Sequence, residues 1–344
     1  MKVAFTIQHP AHVHLFRHTI DALTPAHDVR CYVRDSTIIR TLLESYGIEH
    51  TVVTSTASSP VGLALSQLKY EFGLWRVARA FDPDVILGVG GVSASHVATA
   101  LGCRSLIFID SEDHHARSNH LAVPFADIVC TPRAHPNTYG AKHRRYDGYH
   151  ELAYLHPNRF DPDPDRLEAA GIDPTESYFV VRFSSWEAMH DVGQHGFSLE
   201  QKWDLITTLE RYGTVYITSE NELPPRFRSF YLPTEPADIH HLLSYADLCV
   251  ADSGTIATEA AVLGTPTVRL SAFDRERELM NFRELSERYD LLVTTSEPTE
   301  AINVSTALVR DPATSQRWEE NRSRLLAEKI DVTSFILSCI RDAR

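Results

Sequence analysis

The sequence predicts an α/β chain of two doubly wound, Rossmann-like domains facing a central cleft. Three observations lead there. Short apolar runs alternate with helix-length segments from the first residue, a proline- and aspartate-rich break interrupts the series near the middle, and a second series of the same kind follows. The 344 residues suit that count, since about 150 residues make a domain.

In the first series the spacing predicts strands over 3–7, 29–33, 50–53, 85–89, 105–109 and 128–130. Between them, 13–23, 37–46, 63–81 and 93–101 carry apolar residues at helical intervals. This N-terminal domain ends at residue 155. HPNRFDPDPD at 156–165 holds three prolines and three aspartates, a composition that breaks helix and central strand, so it reads as a linker and candidate hinge. The second domain, 166–330, has predicted strands over 178–183, 214–218, 248–251, 267–270 and 291–293, with helices such as 199–212 and 257–263. A last helix from about 331 has no strand after it and is expected to pack back on the first domain. In open parallel sheets ligands bind beyond the carboxyl ends of the strands, which places the expected cleft there.

Composition narrows the classes of partner. Lys and Arg total 33 against 46 Asp and Glu, a formal charge of −13, which argues against a general nucleic-acid binder. Only five cations are Lys (Lys2, Lys69, Lys142, Lys202, Lys329), and with 18 His this resembles cytoplasmic proteins of organisms with high internal salt. Five cysteines without a C-x-x-C pair read as buried thiols in a reducing compartment. MKVAFTIQHP lacks the apolar core of a signal peptide, and no run of 18 apolar residues occurs, so a cytoplasmic protein is expected.

The most informative segment is an apolar strand leading into Asp252-Ser253-Gly254-Thr255 and a helix. Backbone N–H groups of such a turn, the hydroxyls of Ser253 and Thr255, and the positive end of the helix suit a diphosphate. Glu259, one helical turn on, could accept the hydroxyls of a ribose. A simple N-capped helix with a solvent-facing Glu is the alternative. Arg182, Ser184 and Ser185, after the strand at 178–183, are further candidate diphosphate contacts, although Phe183 and Trp186 crowd that loop. His190 and Asp191 are candidate substrate contacts.

At the carboxyl end of the first strand, Gln8-His9-Pro10-Ala11-His12-Val13-His14 offers His12 as a base for an acceptor hydroxyl, because an imidazole titrates near neutrality. His14 is a candidate substrate contact, and both could equally just cover the helix start. Asp110 and Glu112, in the acidic run after the strand at 105–109, are further catalytic candidates, and Asn119 a substrate contact. A solvated acidic loop is the plainer reading. Combining His12, His14, Asp110, His190 and Asp191 into a metal site lacks a recognised spacing, so neither metal nor other cofactor is expected.

These runs carry a resemblance. The strand–Ser-Gly–helix–Glu-Ala–Gly-x-Pro pattern at 245–270 is similar to the nucleotide-sugar site of GT-B-fold enzymes, among them the N-acetylglucosaminyltransferase of lipid-linked peptidoglycan precursor synthesis. That resemblance implies diphosphate binding by Ser253, Gly254 and Thr255, ribose binding by Glu259, and an acceptor base at His12. The acidic run, Asn119 and the A-D-x-x-x-x-P run at 126–132 also resemble non-hydrolysing UDP-N-acetylglucosamine 2-epimerases, but Val89-Gly90-Gly91 lacks their second acid.

Over nearly its whole length, through P-A-H-V-H, IDSEDHHARSNHLAVPFAD, YDGYHELAYLHP, RFSSWEAMHD and the DSGT block, the chain resembles a largely archaeal family of predicted glycosyltransferases with a domain of unknown function. The expected activity is therefore glycosyl transfer from a nucleoside-diphosphate sugar, UDP-linked, to a glycan or lipid-linked acceptor. A 2-epimerase and a non-catalytic nucleotide-sugar-binding protein are the alternatives. Residues 63–79 alternate Leu68, Phe72 and Trp75 with Lys69, Arg76 and Arg79, a pattern suited either to peripheral membrane contact or to burial as a crossover helix.

Overall fold

A computed structural model describes residues 1–54, 60–110, 118–184, 196–271 and 278–343. The chain divides into two compact units, Met1–Phe160 with Lys329–Arg344, and Asp161–Glu328.

In the first unit, β1 (Lys2–Ile7), β2 (Asp28–Arg34), β3 (His50–Thr54), β4 (Val85–Val89), β5 (Arg104–Phe108), β6 (Ile128–Pro132) and β7 (His143–Tyr146) form one parallel sheet in the order β3-β2-β1-β4-β5-β6-β7. Its helices are α1 (Pro10–Leu23), α2 (Thr37–Ser45), α3 (Pro60–Phe81), α4 (Val92–Leu101) and the single turn α5 (Asn119–Ala122). Val3, Ala4, Phe5 and Ile7 of β1 are all buried, as a central parallel strand covered on both faces requires. β7 is absent from the sequence prediction because its residues, His-Arg-Arg-Tyr, carry no apolar run. It pairs as an edge strand, where Arg144 meets water while Tyr146 turns into the core.

Between β4 and α4 the chain turns through Gly90 and Gly91, both at positive φ. A Cβ on Gly91 would overlap the Ile107 side chain of β5, so the start of α4 approaches β5 more closely than any side chain allows. No carboxylate could occupy this position.

The second unit holds β8 (Tyr178–Phe183), β9 (Thr214–Ser219), β10 (Leu248–Ala251), β11 (Thr267–Leu270) and β12 (Val293–Thr295), all parallel, in the order β12-β11-β10-β8-β9. Its helices are α6 (Pro164–Ala169), α7 (Leu199–Leu209), α8 (Ile239–Tyr245), α9 (Gly254–Leu263), α10 (Met280–Arg283), α11 (Pro298–Arg310) and α12 (Thr314–Glu328). The Pro-rich segment read as linker to 165 passes into α6 at Pro164. Asp163 caps that helix by accepting from the Asp165 N–H at 3.1 Å, and a proline at the first helical position needs no N–H. Leu291 and Leu292, read as strand, are buried just before β12, which begins at Val293.

The final helix α13 (Val332–Asp342) starts at Asp331, whose side chain accepts from the Ser334 N–H. Its apolar face, Val332, Ile336, Cys339 and Ile340, packs on the first unit against α1 and the 3₁₀ turn His150–Ala153. Arg159 pairs with Asp331 at 2.8 Å.

Candidate functional site

In each sheet the chain reverses its winding between two neighbouring strands: β1 and β4 in the first unit, β8 and β10 in the second. Loops leaving such a switch point diverge and open a crevice at the carboxyl edge.

In the second unit β10 ends in Asp252 and the chain enters α9 at Gly254. Ser253 stands at the N-cap position but its side chain makes no capping bond. The first backbone N–H groups of α9 therefore lack an intrahelical acceptor and a cap from Ser253, and residues 253–256 are partly accessible. Phe282 lies beneath the turn, and a Cβ on Gly254 would come within 2.8 Å of its Cζ. Above that ring sits Arg269, 3.8 Å from the centroid and bound to Glu278 at 2.7 Å, a buried ion pair that holds the floor of the turn.

Across the switch point, the Ser184 N–H donates to Asp252 Oδ1 at 2.6 Å. This bond ties the loop after β8 to the turn after β10, so the Ser184 amide is already engaged. Lys202 of α7 faces the same place, its Nζ 4.7 Å from the centroid of Phe183. Burial lowers the Lys202 ammonium from its ordinary value and Asp252 opposes that shift. A partly buried cation beside an open helix N-terminus is a phosphate-binding arrangement.

Two residues expected here are turned elsewhere. Arg182 donates to Thr218 Oγ1 at 2.8 Å and Glu220 Oε1 at 2.7 Å, toward β9 and away from β10, because the strand order sets β9 and β10 on opposite sides of β8. Glu259 is only 2% exposed and lies 3.0 Å from Nε2 of buried His240. This corrects the ribose assignment: α9 packs that face against α8, leaving almost no carboxylate surface for a ligand.

In the first unit His9 caps α1, its Nδ1 accepting from the Ala11 N–H at 3.2 Å. His12 Nδ1 accepts from the Gln8 N–H at 3.3 Å. An imidazole nitrogen that accepts carries no proton, so neutral His12 holds its proton on Nε2 and presents a donor. Protonation at Nδ1 would break the bond to Gln8. Burial, then His9, depress the His12 pKa to about 3, with Asp110 opposing and His150 adding to the depression. The expectation that His12 is the base is thereby corrected: its accepting nitrogen is occupied by backbone.

Asp110, just beyond β5, has its side chain 46% exposed, and its Oδ2 is 3.3 Å from Nδ1 of buried His150. Burial lowers the His150 pKa, but the charge and hydrogen bond of Asp110, with Glu151 behind, reverse this and hold it above the ordinary value. His150 Nε2 and the hydroxyl of Tyr146, whose ring stacks on the imidazole at 6.3 Å, are buried without a hydrogen-bond partner. Among the described residues no group of three or more His, Cys, Asp or Glu could hold a metal ion.

A family model described as "Protein of unknown function (DUF354)" matches residues 1–334. The chain belongs to that family. No curated protein matches the sequence. Among solved structures, the UDP-GlcNAc 2-epimerase from Neisseria meningitidis bound to UDP-GlcNAc is similar at a TM-score of 0.69 and 15% identity, over 98% of each chain. The spinosyn forosaminyltransferase SpnP is similar at 0.65 and 15%, over 100% of this chain and 99% of the other. Anabaena HepE in complex with UDP is similar at 0.58 and 16%, over 99% and 100%. These likenesses show the fold, two Rossmann-like domains of the GT-B type.

Within this DUF354 chain the structure brings together Ser253, Gly254 and Thr255 with Ser184 on one sheet edge, and His12 with Asp110 on the other. His14 is buried between Tyr46, whose hydroxyl lies 3.3 Å from its Nδ1, and Tyr154 at 5.3 Å between rings, so it serves packing and not substrate. Asn119 is likewise buried, at the first position of α5. Glu112, Ser185, His190 and Asp191 lie outside the described residues. Sequence reasoning missed His150 and Lys202. The first stood inside the quoted run YDGYHELAYLHP without a role, and the scarcity of lysine was the available signal for the second.

Proposed function

We propose that this protein is a glycosyltransferase that takes a sugar from a UDP-linked donor and passes it to an acceptor hydroxyl. The observation that carries this reading is the open N-terminus of α9 at the switch point of the second unit, with Lys202 facing the same turn. The backbone N–H groups of Gly254 and Thr255, the Ser253 and Thr255 hydroxyls and the Lys202 ammonium are assigned to the diphosphate. They are preorganised donors for charge that grows as the sugar–phosphate bond breaks. Structures of the same fold that hold UDP or UDP-GlcNAc support UDP as the nucleotide. The first unit supplies acid–base groups at its own carboxyl edge.

A lipid-linked acceptor suits the surface of α3. Leu68 and Phe72 are 63% and 67% exposed one helical turn apart, Arg79 stacks on Trp75 at 5.2 Å, and Lys69 and Arg76 lie on the same helix. Among the described residues no helix is long and apolar enough to cross a membrane.

The 2-epimerase reading shares the fold of the Neisseria enzyme, and it predicts an epimer or a glycal from donor alone. The absence of a carboxylate from Val89-Gly90-Gly91 weighs against it, because elimination and readdition need more acid–base groups than transfer.

Thermal unfolding with UDP, TDP, GDP, CDP and ADP tests the donor class. UDP at about 100 times its dissociation constant should stabilise the native state by about 2.7 kcal/mol. Lys202→Ala should weaken UDP binding about tenfold, the effect of losing roughly 1.4 kcal/mol of charge-assisted bonding. Equal response to all five nucleotides, or an unchanged Lys202→Ala affinity, refutes the assignment. Tight UDP binding without turnover on any acceptor would favour a non-catalytic binding protein.

A further inference from the structure

We infer that Arg34, the last residue of β2, anchors a phosphoryl group in the first unit, with Gln67 of α3 its positioning residue. Every group involved belongs to that unit. That the phosphoryl group is part of the sugar acceptor rests on the glycosyl-transfer reading; that it binds at Arg34 does not.

β2 lies beside β1, so Arg34 ends a strand next to the β1–β4 switch point, at the carboxyl edge of the sheet. Its side chain turns toward α3. There the guanidinium lies 5.1 Å from the centroid of Tyr70, and Nη2 donates to Gln67 Oε1 at 3.0 Å. Gln67 has only its oxygen to offer, because its Nε2 already donates to Ser93 Oγ at 2.7 Å and to Glu71 Oε1 at 3.0 Å. Ser93 is fully buried near the start of α4, so the carboxamide is tied to the core and holds the guanidinium fork in one orientation.

What this cation lacks is a counter-ion. Among the described residues no carboxylate pairs with it. Asp35, next in the chain, pairs with Arg40 at 3.5 Å, and Glu71, beyond the carboxamide, lies 3.3 Å from Nδ1 of His96. Nε is buried without a hydrogen-bond partner, and so is the Oγ of Ser66, one helical turn before Tyr70 on the same face of α3. Nη1 is unbonded too, but accessible, and it is the atom assigned to the ligand. A guanidinium with a desolvated edge and no anion destabilises the fold, and nothing in the first unit compensates for it; a ligand oxyanion does.

The planar fork matches two oxygens of a phosphoryl group. The same strand end carries a potential of the right sign, since α2 opens two residues on at Ser36, which makes no capping bond and so does not neutralise that helix end. Leu68, beside Gln67 in the chain, and Phe72 are exposed on α3. A soluble phosphate ester and a lipid phosphate headgroup therefore share the chemistry that Arg34 recognises.

The full chain is saturated with UDP to fill the second unit, and phenyl phosphate is titrated by calorimetry. It should bind, and Arg34→Gln should weaken it at least about tenfold with UDP affinity within about twofold of wild type. Arg34→Lys should remain about threefold or more weaker than wild type, because an ammonium keeps the charge and loses the fork. With Gln67→Ala already present, Arg34→Lys should cost less than about twofold further, since an unheld fork has no advantage over an ammonium; a purely structural Gln67 would leave the two changes additive. Arg34→Met, which removes the unpaired cation, should melt no lower than wild type. Sedimentation with vesicles of about three parts phosphatidylcholine to one part phosphatidic acid assigns the source: loss in Arg34→Gln identifies a lipid headgroup, and no dependence on Arg34 identifies a soluble ester.

UDP-saturated protein that ignores phenyl phosphate overturns the inference, as does equal binding by Arg34→Gln or an Arg34→Met variant that melts several degrees lower. Acetate binding as tightly as phenyl phosphate overturns the phosphoryl assignment, and an additive cycle overturns the role of Gln67. Failure of UDP to bind overturns the donor reading instead, and the same titration of Lys202→Ala with and without Arg34→Gln still decides Arg34.

Discussion

Acidification should destabilise the first unit through His12, and His12→Gln should remove that sensitivity. Unfolded, the ring takes a proton near its ordinary value of 6.5; folded, it resists until about pH 3. Between those values the unfolded state binds more protons, so stability falls as pH falls. One proton is worth about 1.36 kcal/mol per pH unit, and from 6.5 to 5 this gives about 2 kcal/mol. Partial access of His12 to water trims this to about 1–2 kcal/mol.

His150 has the opposite sign: its raised pKa contributes stability that is full below 6.5 and is lost as pH rises through the folded value. Urea unfolding of wild type and His12→Gln at pH 7.5, 6 and 5 subtracts that background. The two stability curves should converge as pH falls, the wild type losing about 1–2 kcal/mol more than the variant. Parallel curves across the range would refute both the hydrogen-bond assignment at Nδ1 and the neutral state of His12.

Three further outcomes can be checked directly. Gly254→Ala should cost about 1–3 kcal/mol, because its Cβ meets Phe282 and that ring is clamped under Arg269, and it should also weaken UDP binding; wild-type stability in a melt would show that the floor yields. Glu259→Ala should cost about 1–3 kcal/mol by removing the carboxylate from buried His240 Nε2, with UDP affinity of the folded protein within twofold of wild type. Lost affinity at unchanged stability would restore the ribose role. Leu68→Glu with Phe72→Glu should abolish sedimentation with vesicles containing about one-third anionic lipid, and wild-type protein left wholly in the supernatant would end the membrane reading of α3.

The α/β class was legible because its signal is local. A strand buried on both faces must be an unbroken apolar run, as in Val3–Ile7 or Leu248–Ala251, and a crossover helix must be apolar at its own period, so neither depends on distant residues. The Asp252–Thr255 turn was legible for the same reason, being one contiguous strand-to-helix junction. β7 was not, because an edge strand is held by backbone bonds to β6 and needs no apolar side chains.

Pairings across the fold were decided only in three dimensions. Sheet order sets Arg182 toward β9, helix packing closes Glu259 onto His240, and the turn after β7 carries His150 to Asp110, forty residues earlier in the chain. The sequence by itself therefore determined which elements form and where catalytic residue types cluster. The partner that each imidazole meets was settled by the folded structure, because residue type alone does not choose between a backbone N–H, as at His12, and a carboxylate forty residues away, as at His150.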